Sequence, residues 1–200
     1  GYWYVFNKFK IVLRLLIKKE TKMYKVACSV RGISPLLQNR HPFPEEIEKV
    51  NKDDREGYDY QNAKYKLEDG RLYQPSEHFI SAMTKAAVEY KIEGQGKKTY
   101  KDAVKSCIFI EQEKIIHKIQ DYEPYRAYVT IGMASVVKSR PMFKAWELDF
   151  DIICVNDQFP PSILEKILTT AGLTKGIGDY RPRFGRFEVT KFEADRNGGK

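Results

Sequence analysis

The stretch from Trp146 to Cys154, "WELDFDIIC", alternates without a break. Trp146, Leu148, Phe150, Ile152 and Cys154 fall on one side, and Glu147, Asp149 and Asp151 on the other. A period of two is strand geometry, and an apolar face backed by a charged one belongs to a sheet covered on one side only. Tyr24, Val26, Cys28 and Val30 repeat the pattern, with Lys25, Ser29 and Arg31 facing the other way. A chain with two such strands needs helices to cover the shared apolar face.

Two segments have the spacing to do so. In "QPSEHFISAMTKAAVEYK", Phe79, Met83, Ala86 and Tyr90 recur at helical intervals, and Ser76 stands where an N-cap belongs. After Pro160 and Pro161, residues Ile163, Leu164, Ile167, Leu168 and Ala171 form a second apolar stripe, with Gly172 as its expected stop. "RFEVTKF" reads as a closing strand. "AYVTIGMASVV" and "KAWELDFDIICV", on either side of "KSRPMF", read as an antiparallel hairpin with that hexapeptide as its turn.

The resulting order is βαββαβ. It predicts an α+β fold with a ferredoxin-like (RRM-like) antiparallel sheet, two helices and long insertions at about 38–70 and 91–126. The expected division is a basic and apolar extension over 1–22, one domain over 23–195 and a short tail over 196–200. RNA-recognition domains, enzymes and metabolite sensors all use this arrangement, so function has to be read from the residues.

Of the 200 residues, 42% are hydrophobic and 13% aromatic, which is enough for one sizeable core. The formal charge of +8 favours a polyanionic partner. Cys28, Cys107 and Cys154 are odd in number, far apart and set in apolar runs, as expected of small buried residues in a reducing cytoplasm. Residues 1–22 are apolar but interrupted by Lys8, Lys10 and Arg14, too short and too charged for a membrane span. The segment reads as a basic amphipathic helix for a membrane surface, as an extension of the sheet, or as sequence upstream of a start at Met23. Nothing downstream supports the first, so a membrane is not the expected partner.

No nucleophile elbow, zinc-protease motif, P-loop or dinucleotide fingerprint is present, and no cofactor or metal is expected. Asp149 and Asp151 share a strand face that reads as solvated. Of the three histidines, His41 is the one in a position to serve metal-independent RNA cleavage, if the chain is a nuclease. The stronger signal is for binding. Lys97, Lys98 and Lys101 follow the first helix in a glycine-broken loop, between Lys91 and Lys105. "GIGDYRPRFGRFEV" then places Arg181, Arg183 and Arg186 among Tyr180, Phe184 and Phe187, on a backbone containing Gly176, Gly178 and Gly185. Arginines neutralise phosphates, rings stack on bases, and glycines let backbone N–H groups approach a phosphate.

Two of these segments resemble the RAMP superfamily, the RNA-binding proteins of CRISPR effector complexes. "YQPSEHFISAMTKAA" is similar to that family's proline–serine helix segment, and "GIGDYRPRFGRFEV" to its C-terminal glycine-rich loop. Glu77 and His78 stand where the family has serine and a small residue, and Ser81 where it has glycine. Proteins of phages and prophages are also similar. The backbone-forming branch implies a non-catalytic protein that coats single-stranded nucleic acid, RNA above all, in many copies, alongside other effector or phage proteins. The processing branch implies metal-independent cleavage of RNA. A phage single-strand binder or assembly protein is the further alternative.

Overall fold

The computed structural model describes residues 23–46 and 60–195. The extension over 1–22, the middle of the first insertion and the tail lie outside the described residues. Four strands make the central antiparallel sheet: β1 (Tyr24–Gly32), β4 (Ile108–Ile110), β8 (Glu147–Cys154) and β9 (Phe187–Asp195). Their order is β4-β8-β1-β9. Counting only these strands, that is second, third, first, fourth, the ferredoxin-like arrangement of an α+β fold with insertions.

The alternation that predicts β1 and β8 also sets their register. Val26 lies opposite Ile152, Cys28 opposite Phe150 and Val30 opposite Leu148, so one face is continuous hydrocarbon. Helices α1 (Glu77–Ala86) and α3 (Pro161–Thr170) cover it. Phe79 of α1 is fully buried against the rings of Phe150 and Phe187, 4.6 and 5.4 Å away between centroids. Pro161 opens α3, where a missing N–H costs nothing. Gly172 does not stop that helix. The chain continues in a π turn over Ala171–Lys175, and glycine is needed at 172 because a Cβ there would lie 2.2 Å from the Phe187 carbonyl oxygen. Ser76 precedes α1 without a capping side-chain bond.

A short helix, α2 (Lys101–Cys107), leads directly into β4, so the second core strand falls inside residues 91–126. β5 (Lys114–Ile116) pairs with β3 (Tyr73–Pro75) in a small separate sheet. The expected hairpin between 127 and 155 is not formed. β6 (Glu123–Ile131) pairs instead with β7 (Ala134–Phe143), from Glu123 opposite Met142 to Ile131 opposite Ala134. Gly132, at φ +64, supplies the two-residue turn. Pro141, read as a turn former, sits inside β7 opposite Pro124, a pairing position that needs neither N–H. The two-residue strand β2 (Leu36–Leu37) joins the other edge of β7.

Cys28 and Cys154 are buried and Cys107 is half-buried; burial pushes the Cys28 thiol up to about 12. No helix among the described residues is long and apolar enough to cross a membrane. His117 is 2% exposed, its ring stacked at 4.5 Å on Phe143. Its Nδ1 is buried without a partner.

Burial lowers His117 from 6.5 to about 4, so folding favours the neutral ring. That stability is fully present above pH 6.5 and drains away as pH falls towards 4. Urea titrations should show wild type losing roughly 1–3 kcal/mol more than His117→Phe between pH 7 and 4.5. Parallel pH profiles would overturn this account of His117.

Candidate nucleic-acid interface

The glycine-rich loop leaves the π turn at Gly176 and crosses the residues between β1 and β2. Main-chain hydrogen bonds stitch the two together. Asp179 N–H donates to the Leu37 carbonyl at 2.9 Å, Gly185 N–H to Pro35 at 2.8 Å, and Ile33 N–H to Arg186 at 2.9 Å. The base of the loop is closed by Ile177 N–H, which donates to the Gly185 carbonyl at 2.9 Å. A Cβ at Gly185 would sit 1.8 Å from the Ile177 carbonyl oxygen, and one at Gly178 would sit 2.4 Å from that of Leu37. Both positions therefore exist to let backbones touch. The N–H groups of Gly176 and Gly185 already donate to protein carbonyls and are not offered to a phosphate. Seating the loop is thus the role that the contacts of Gly178 and Gly185 show.

Its side chains point two ways. Ile177 and Phe187 are fully buried, and Phe184 is 9% exposed with the Tyr125 ring edge-on at 5.1 Å. Phe184 supports the loop and has no free face for a base. Arg181, Arg183 and Arg186 are exposed. Arg186 is steadied by donating Nε–H to the Pro182 carbonyl at 2.8 Å. Tyr180 is 40% exposed at φ +53. The guanidinium of Arg140, from β7, lies 4.8 Å from the Tyr180 ring centroid and is ion-paired with Asp179 at 2.5 Å.

The first turn of α1 belongs to the same end of the molecule. His78 is lowered to about 4, first by burial and then by the charge of Arg181. The Tyr65 ring stands edge-on to it at 5.7 Å, Tyr73 lies 5.6 Å from Tyr65, and Lys114 Nζ is 5.3 Å from the Tyr73 ring. Burial raises the Tyr65 hydroxyl, Tyr73 and Asp179 add to the rise, and Arg40 opposes it, which places Arg40 and Asp179 near this ring. Tyr73 and His78 lie in the proline–serine helix segment, while Arg40, Tyr65, Lys114 and Arg140 lie in neither motif-like segment. The six come from five separate segments, and only the fold collects them.

Other expected residues stay apart. Lys97 and Lys98 sit on an exposed turn closed by Ile92 N–H donating to the Lys98 carbonyl at 2.9 Å, and Lys101 begins α2. All three follow the far end of α1, whose ten residues span roughly 15 Å. His41 is exposed, and its side chain forms no hydrogen bond or ion pair among the described residues.

The open face of the central sheet is no alternative surface. Its central strands present Lys25, Ala27, Ser29, Arg31, Glu147, Asp149, Asp151 and Ile153, without an aromatic ring. Lys25 pairs with Glu111 at 2.6 Å and Asp151 at 3.2 Å, Arg31 with Glu188 at 2.6 Å, and Lys118 with Asp149 at 2.8 Å. Phosphate contact there would have to break these pairs.

No family model matches the chain, and no curated protein matches it. Among 84 matching chains of solved structures is one from the cryo-EM structure of the type III-B Cmr-beta bound to cognate target RNA. It is 12% identical, with a TM-score of 0.53, and the match covers 96% of this chain and 66% of that one. At this identity the likeness is one of fold, and the chain spans just under two thirds of its neighbour's length.

Gly94 has the same φ as Gly185, +73, but nothing within 4 Å of an added Cβ. Gly185→Ala should therefore cost roughly 3 kcal/mol in denaturant unfolding and Gly94→Ala about 1, the difference being crowding alone. Equal losses would show that the loop's seat can give way.

Proposed function

We propose that this chain is a non-catalytic, single-stranded nucleic-acid-binding protein of RAMP-like type, with RNA as its favoured ligand. The observation that carries the reading is the seat of the glycine-rich loop. It holds Arg181, Arg183 and Arg186 exposed on a backbone already fixed to β2, beside the exposed ring of Tyr180 and the exposed cation of Lys114. A strand laid over this end meets phosphate partners and a stacking face together, the combination that binds single strands without reading sequence. Binding is then driven by counterion release.

The domain boundaries at about 23 and 195 and the assembly of copies along one strand belong to the same reading. Lys97, Lys98 and Lys101 extend the track past α1. The RAMP-like segments support an effector-backbone role, and the fold likeness to a chain of an RNA-bound CRISPR complex agrees with it. No observation favours cleavage at His41 over binding.

Fluorescence anisotropy with a labelled 30-nucleotide RNA tests this. Replacing Arg181, Arg183 and Arg186 together with Ala should weaken binding roughly tenfold or more in moderate salt. It should also make the slope of log K against log salt shallower by about 2. Replacing Lys97, Lys98 and Lys101 should weaken the 30-mer but leave an 8-mer unchanged. A wild-type chain that leaves the 30-mer free at low salt, or a triple-arginine variant that binds like wild type, would sink the proposal.

A further inference from the structure

Gln38, Gln74 and His78 form a hydrogen-bonded line from the interior to the start of α1. Each amide is oriented by its neighbours. Gln38 Oε1 accepts from the backbone N–H of Tyr65 at 2.9 Å, while Gln38 Nε2 donates to the Tyr73 carbonyl at 2.9 Å. A carbonyl only accepts and a backbone N–H only donates, so this amide has one possible orientation. Gln38 Nε2 also donates to Gln74 Oε1 at 3.1 Å, with His117 Nε2 a looser neighbour at 3.4 Å. Gln74 must then turn its Nε2 towards Nδ1 of His78. An amide nitrogen only donates, so Nδ1 accepts, and the proton of the neutral imidazole sits on Nε2.

The ring is uncharged at neutral pH, since burial and the nearby Arg181 lower it to about 4. Nε2 has no partner among the described residues and is not one of the buried unpartnered atoms, so its N–H meets solvent. Arg181 faces it from the loop and Tyr65 from the segment before β3. Arg40 and Asp179 lie around Tyr65, and Glu77 precedes His78 on α1.

We infer that His78 Nε2–H is a fixed hydrogen-bond donor to a phosphodiester oxygen of the bound strand, beside the charge of Arg181. The inference rests on the nucleic-acid reading and adds a subsite to it. It also assigns His78 a role opposite to a catalytic one. Nε2 already carries the proton and Nδ1 is held by Gln74, so neither nitrogen can take a proton from a ribose hydroxyl. A donor to phosphate is indifferent to base and sugar, and its contribution should be equal on RNA and DNA.

The tautomer is read directly by nitrogen-15 NMR of the imidazole in the free protein, where the proton is expected on Nε2. Affinity for a 30-nucleotide RNA and a DNA of the same sequence is then compared across variants. His78→Ala should weaken both roughly tenfold, and His78→Gln, whose amide nitrogen can take the place of Nε2–H, should restore most of the loss. An Nδ1–H tautomer overturns the inference whether or not the strand binds. A loss confined to RNA also overturns it, since the acceptor would be the 2′-hydroxyl. If wild type binds neither strand, the nucleic-acid reading itself fails, and the NMR result tells that failure from one at His78.

Discussion

The structure hangs on a place where backbones come too close for a side chain. At Gly185 the chain gives its N–H to Pro35 and its carbonyl to Ile177, whose own oxygen occupies the position of a Cβ. Because that contact joins residues some 150 positions apart, it fixes the loop relative to the end of β1. It also sets where β9 can begin. Phe187 pairs with Gly32, Gly32 lies against Trp146, and Trp146 donates its indole N–H to the Ser34 carbonyl at 2.9 Å. Sheet edge, loop and the β1–β2 connection become one body. In the proposed binding, long arginine side chains on such a base would have only their own rotamers to immobilise, because the backbone beneath them is already ordered.

Charge is divided to match. On the open face of the sheet the cations of β1 have carboxylate partners, so the excess of +8 is not expressed there. Between Glu123 and Glu147 the chain has no acidic residue, while Arg126, Lys138, Arg140 and Lys144 are all basic. That run is the β6–β7 arm, and Arg140 of the arm is bound to Asp179 of the loop. Arm and loop are therefore joined by an ion pair, and Lys144 is likewise paired with Glu123 at 2.8 Å. The acidic residue between arm and loop, Asp179, is engaged in holding them together.

What the sequence made legible was local. The period of two in β1 and β8, and the helical stripes of α1 and α3, are each visible within a dozen residues, and they suffice for the βαββαβ order. The hairpin is hidden because Pro141 is punctuation in a linear reading, whereas in the structure its carbonyl accepts from Gln38 N–H at 3.1 Å, so its nitrogen faces away from β6 and costs that pairing no bond. The loop was legible in composition but not in purpose. Nothing near Gly178 or Gly185 in sequence announces Leu37 or Pro35. His78, Arg40 and Arg140 stayed hidden for the same reason, since each becomes part of the site only through a partner far along the chain. The lysine cluster is legible as composition, whereas its separation from the loop by the length of α1 is not.

The three rings of the loop show how one composition divides into two tasks. In sequence Tyr180, Phe184 and Phe187 are equivalent as stacking partners, yet only Tyr180 keeps an exposed face. It is also the residue whose backbone carries a cost. A left-handed conformation without glycine is unfavourable by roughly 1–2 kcal/mol and persists only where the surroundings impose it. Here they do: Asp179 N–H is tied to Leu37, Asp179 carboxylate to Arg140, and the Arg140 guanidinium lies against the ring. The glycines and phenylalanines hold the loop in place, and the arginines with Tyr180 are what it offers. An aromatic ring kept in a strained, half-exposed position by an ion-paired arginine contributes little to the core. It is 40% exposed beside the exposed Arg181, Arg183 and Arg186, and the proposed stacking role rests on that placement.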